Sequence, residues 1–378
     1  MKLKEKLPGY VMTRTGQSLH RLAVVFPVIV CLLMMGTSAR AQEIRETLST
    51  TYLFHTPAGV TLHINNKYGE VKVNTWQKDS VKVEVRRTFI HSNRDQIEKL
   101  KNEIDISHSV ASNLIRFETT FQQSGKRIFR NIQEATNMVG NERNSRIEYA
   151  VTVPARTNIS IVNKYGDVIL PNLSGKVSVD LSNGNLQVRK LSGSVNLVLA
   201  FGVAIIDELT TANLDLNFVE LSLNKANNLT IRGNSSTIDI PEINTLELDS
   251  RRDKIKIGKV ASISGTTYFS NIRTEHVTSY VNLTLTYGEI SKLNLSSQVT
   301  ECIIVARTCN ITLEIDRPMP YSILLKHHKG NLMLPETIKK SDQKFSDPEL
   351  SRYYFRNDLS ESKLKMNIYD ADLKIIHK

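Results

Sequence analysis

Asp167, Asn185, Glu220, Asn271 and Glu289 recur at the third place of one repeated four-residue pattern. Carboxylates repeated in this way could act as an acid/base pair on a glycosidic bond, or as oxygen ligands for calcium. Val203, Thr237 and Lys254 interrupt the column at the same place. A broken acidic column at a turn reads as a solvated edge, and the Gly-rich nonapeptide spacing of calcium-binding β-rolls is absent. Of the nine histidines only His327 and His328 adjoin, and successive strand residues face opposite ways, so they form no chelating pair. Cys302 stands where a corner would carry an inward aliphatic residue and reads as a buried structural thiol. A Cys302–Cys309 bridge is the second reading, and a metal site with no other histidine or cysteine beside it the third. No nucleophile elbow or phosphate loop occurs. The expectation is therefore no catalytic, cofactor or metal residues. One basic stretch, "RRDKIKIGK", offers Arg251, Arg252, Lys254, Lys256 and Lys259 as an anion patch. Ile255 and Ile257 alternate with these charges, as they would on the outer face of a strand. The single tryptophan, Trp76, reads as packing between segments in preference to a sugar platform.

The elements that carry these residues follow from a repeat. Starting at Tyr165, the chain reads "YGDV", "NGNL", "FGVA", "FVEL", "SSTI", "RDKI", "FSNI" and "YGEI" at steps of 18, 18, 17, 17, 17, 17 and 18 residues. The fourth place is always apolar: Val168, Leu186, Ala204, Leu221, Ile238, Ile255, Ile272 and Ile290. Ahead of each turn apolar residues alternate, as in Val177, Val179 and Leu181, which is the period of a strand with one buried face. One such unit cannot bury its own apolar face, whereas stacked units can. The spacing therefore predicts a mainly β fold: a parallel β-helix, or solenoid, with coils of 17–18 residues. Tyr68, Gly69, Tyr165, Gly166, Gly184, Gly202, Tyr287 and Gly288 are its corner residues, with Gly166 and Gly288 expected in left-handed turns and the corner aromatics in a partial ladder. The six-residue aliphatic spacing of acyltransferase helices is absent, since Asn183 and Arg189 follow Val177 at steps of six.

The flanks differ from the array. Residues 1–41 read as a signal peptide: basic residues, the apolar run Leu22–Gly36, then Ala39 and Ala41 ahead of a cut near Ala41. This leader holds six of the 49 Lys+Arg and one of the 38 Asp+Glu, leaving 43 against 37, a net charge of +6. Such a balance favours an acidic glycan or anionic surface, and gives nucleic acid little support. Residues 42–156 read as an α+β head with a first corner at Tyr68. It holds one helix begun at Ser92 or Asn93, with Ile97, Leu100 and Ile104 on one face. Residues 122–144 read as a polar loop. Residues 157–335 form the repeat array. Residues 336–378 hold a polar insertion and a capping coil; degenerate corners follow the regular units at Thr300, Lys329 and Asp370.

"NNKYGEVKVNTWQKDSVKVEVRRT" and "VPARTNISIVNKYGDVILPNLSG", followed by serial "YG-acid-aliphatic" units, resemble the exported β-strand-repeat family known as "putative adhesins". That family belongs to cell envelopes of the Bacteroidetes type, and its domain has no known activity. The resemblance implies a non-catalytic binding module that meets a glycan or partner protein on its strand faces. Two other classes stand beside it: a self-assembling envelope scaffold, and a polysaccharide-active enzyme using Asp167 and Glu289. Export implies the periplasm, the outer-membrane surface or the medium, with no membrane span after the leader.

Overall fold

The computed structural model describes residues 43–55, 59–121, 144–317, 319–342, 346–357 and 362–378. The expected leader and nearly all of the expected polar loop lie outside them. Within them the chain is mainly β, with one helix and a single 23-stranded sheet that does not close. No helix among the described residues is long and apolar enough to cross a membrane.

The strand period sets the sheet. In β10 (Val177–Ser182) the apolar residues Val177, Val179 and Leu181 are buried and the residues between them are not. β10 lies parallel to β8 (Asn158–Lys164) on one side and to the long, repeatedly bent β11 (Leu186–Asn234) on the other, each offset by 18 residues. From β11 to β12 (Thr237–Arg251) and β13 (Lys254–Tyr268) the offset is 17. Between β13 and β14 (Asn271–Thr286) it changes from 17 to 18. Most inward matches place aliphatic on aliphatic, as in Ile238–Ile255–Ile272–Ile290, so the apolar columns run through one core, interrupted at Asn163, Gly265 and Thr274. Each fully buried Leu, Ile or Val contributes about 1.5–3 kcal/mol.

The corners depart from expectation in one respect. Gly166 and Gly288 are not the left-handed residues. Positive φ falls one place earlier, at Tyr68, Tyr165, Asn183, Phe201, Phe218, Ser235, Arg252, Phe269 and Tyr287, all between 52° and 65°. The glycines are needed for closeness: a Cβ on Gly166 would stand 2.1 Å from the Gly69 carbonyl oxygen, and one on Gly184 2.2 Å from that of Gly166. A second departure concerns Thr300. The left-handed residue of that unit is Thr308, and β16 (Glu301–Arg307) pairs with β14 at an offset of 21. The added residues form a turn in which Val299 N donates to Ser296 O. Cys302 consequently lies in a strand, while Cys309 takes the glycine place of the corner.

The sheet leaves chain order near both ends. β2 (Thr61–Lys67) lies between β8 and β6 (Leu114–Phe121), parallel to both. After the Tyr68 corner, β3 (Val71–Trp76) lies between β9 (Val168–Leu170) and β7 (Ser145–Pro154). The far end repeats the device. β22 (Ser362–Tyr369) lies between β16 and β18 (Tyr321–His328). β23 (Asp372–His377) lies between β17 (Asn310–Ile315) and β19 (Leu332–Met333). The segment expected as a head thus shares the sheet of the array.

Antiparallel strands cover the outermost pairs. At one end β4 (Ser80–His91) pairs with β7, β1 (Ile44–His55) with β4, and β5 (Ile104–Ala111) with β6. At the other, β21 (Leu350–Phe355) pairs with β18 and β20 (Lys339–Lys340) with β21. The insertion expected to be polar thus supplies a covering strand, whose Tyr353 and Phe355 pack on the core. Helix α1 (Arg94–Glu103) starts at Asn93, whose Oδ1 accepts from Asp95 N at 2.7 Å, and buries Ile97.

Candidate functional site

Left-handed backbone turns the corner side chain out of the apolar stack, so the first place of every unit lines one edge of the molecule. Tyr68 is buried there against Tyr165, ring centroids 5.5 Å apart. Further along, Phe201 and Phe218 stack at 5.2 Å and 4° although they are 55% and 53% exposed. Phe269 and Tyr287 stack at 5.1 Å and 13°, 52% and 44% exposed. Ser235 and Arg252 hold the two corners between these pairs. At ~4.8 Å per strand, Phe218 and Phe269 stand about 14 Å apart. The edge therefore carries two exposed aromatic pairs, with Ser235 and the exposed Arg252 at the two corners between them.

The anion patch is divided by the fold. Arg251 and Arg252 are exposed at the corner. Lys254 and Lys256 are exposed on the following strand, where Lys256 Nζ meets Asp239 Oδ2 at 3.2 Å. Lys259 lies farther along, between Glu242 and His276 in the ladder. It borders an open groove of about 500 Å³ that also holds Lys225 and Glu242, themselves paired at 3.0 Å.

Asp253, inside the same basic stretch, is buried and was not singled out by sequence reasoning. It occupies the glycine place of its corner. Its Oδ1 accepts from Ser236 N at 2.7 Å, and its Oδ2 from Ser250 Oγ at 2.6 Å and Arg251 N at 3.2 Å. Burial raises its pKa, and these hydrogen bonds pull the other way. The carboxylate fastens its own corner to the preceding one from inside.

The polar residues of the corner column tie successive units together. Asp167 Oδ1 accepts from Asn185 N at 2.8 Å, Asn185 Oδ1 from Val203 N at 3.1 Å, and Glu289 Oε2 from Asn271 Nδ2 at 3.0 Å. Asp167 and Glu289 are seven units apart, about 34 Å at ~4.8 Å each. A glycosidase pair needs its carboxyl groups within roughly 5–9.5 Å. These two cannot act together. An open groove of about 570 Å³ does lie at the near end, with Glu70, Arg146, Tyr165, Asp167 and Asn183 on its walls.

Cys302 and Cys309 are both buried and free, and burial pushes the Cys302 thiol up to about 12. Trp76 is half-buried, its Nε1 donates to Ser80 O at 2.8 Å within its own turn, and Lys78 Nζ lies 5.2 Å from its ring. His327 points inward and His328 outward, as strand alternation requires. The surroundings of His328 were not legible, because its neighbours Asp347, Glu349 and Asp370 reach it only through the insertion and the reordered strands.

No family model matches the chain, and no curated protein matches it. Solved structures do resemble it. A "putative lipid binding protein" of Parabacteroides distasonis is 10% identical, covers 87% of this chain and 96% of its own, and has a TM-score of 0.31. A "putative adhesin" of the same organism is 12% identical over 71% and 90%, at 0.30. Another "putative adhesin", of Bacteroides fragilis, is 10% identical over 88% and 97%, at 0.23. Likeness at these scores decides neither fold nor role, which rest on pairing register and corner geometry.

Proposed function

We propose that the chain is a non-catalytic, exported envelope protein whose parallel units wind as a β-solenoid and whose corner edge binds an acidic glycan. One observation carries this: Phe218 and Phe269 are half-exposed on the corner edge, and the exposed Arg252 stands one unit before Phe269. An apolar ring open to water is costly unless something lies on it. A sugar ring suits those faces, and a carboxylate or sulfate suits the guanidinium. The net charge of +6 past the expected leader adds steering for such a ligand. Dispersed acids and buried thiols support the absence of catalysis.

Calorimetry with uronic-acid and sulfated polysaccharides, against neutral ones, tests the reading. Acidic chains bind, and Phe218→Ala and Phe269→Ala each weaken binding at least tenfold. Arg252→Ala weakens it and flattens its salt dependence, as loss of a screened charge requires. Equal binding of neutral chains, or binding indifferent to all three changes, would overturn it.

A further inference from the structure

At the capped far end, three ligand-type side chains converge away from the exposed corner aromatics. His328 Nε2 lies 3.3 Å from Asp347 Oδ2 and 3.4 Å from Glu349 Oε2, and all three atoms lie within 4.8 Å of one another. Ligand atoms around a tetrahedral ion with bonds of ~2.0–2.1 Å stand roughly 3.3–3.5 Å apart, so this spacing fits a small transition cation and is tight for calcium. The other imidazole nitrogen, Nδ1, faces Asp370 Oδ1 at 3.4 Å. A carboxylate there holds the proton on Nδ1 and directs the Nε2 lone pair at the two acids, the arrangement that supports metal-bound histidines. Charge points the same way. Among the described residues, the lysine paired with these three acids is Lys329, whose Nζ lies 2.8 Å from Glu349 Oε2. The backbone on each side is anchored. His328 ends β18, paired with Leu350 and Tyr369, and Asp370 is the left-handed corner after β22.

We propose that His328, Asp347 and Glu349 form a site for one divalent cation of the zinc class, with Asp370 as the residue that orients the histidine. Such an ion joins β18 to the segment entering β21, and so clamps the covering strand to the end of the sheet. It is independent of the glycan reading.

The test uses the full chain without a polyhistidine tag, titrated with zinc chloride by calorimetry and followed by thermal unfolding. One equivalent binds and raises the midpoint, and a chelator reverses the rise. His328→Gln and the double change Asp347→Asn, Glu349→Gln each weaken binding at least tenfold. His328→Lys separates the site from a plain ion-pair hub: it keeps a positive charge between the acids but offers no imidazole. Its unfolding midpoint is expected not to respond to zinc. Absence of a zinc response in the unaltered chain, or undiminished binding by the His328→Gln or His328→Lys protein, would overturn the proposal.

Discussion

At the scale of single residues, the corner shows two demands met by adjacent positions. In the array the left-handed residue is an aromatic, Asn, Ser or Arg; where glycine follows, as at Gly166, Gly184 and Gly202, the preceding unit's carbonyl fills the space a Cβ would need, whereas Val219 and Asp253 hold that place in other units. Gly166→Ala should therefore cost about 3 kcal/mol, the upper part of the range for overpacking, read as a lowered urea midpoint. The sequence displayed both residues of the pair but not their division of labour, since glycine is the usual host of positive φ. Asp253 yields a pH prediction. Its folded pKa is raised, so between the unfolded value and the folded one the native state holds more protons than the unfolded chain. Stability from this group falls as pH rises through that window and is constant above it. His63, His327 and His377, whose values burial lowers, act in the opposite sense: they stay neutral when folded, and stability falls as pH drops below about 6.5. Urea midpoints of the unaltered chain and Asp253→Asn, compared across pH 4–6, should differ in slope by the Asp253 contribution. Parallel slopes would refute it.

At the scale of elements, strand period, unit length, apolar columns and the Asn93 cap were all legible, because each is written in residues close together in sequence. The placement of β2 and β22 was not. Both have the alternation of ordinary strands, and nothing local says that β22 pairs with β16 and β18 at once while β18 waits outside. Leu364 lies fully inside this doubly paired strand, opposite Cys302 on one side and Ile323 on the other. Leu364→Ala should cost about 2–5 kcal/mol. Removing residues 362–378 strips partners from four strands, and should expose β16 and β18 to amide exchange while leaving β10 protected. Equal protection of both regions would count against the described order.

At the scale of the whole molecule, a long parallel stack invites end-to-end pairing unless its ends are blocked. Here β4 with β1, β5, and β21 with β20 lie across the outermost strands in the antiparallel sense. This favours a discrete body over a growing filament. Replacing Leu350–Phe355 by a Gly/Ser linker bares β18, and light scattering should then show association that increases with concentration. A monomer unchanged at all concentrations would mean that some other feature guards that edge. The reordered strands also bear on biosynthesis. The slot between β16 and β18 can be filled only by residues made after both of its walls, so a chain interrupted before Tyr369 presents a ready-made gap of unmet amides. Quality-control proteases or chaperones that read exposed strand edges could thereby tell finished copies from unfinished ones.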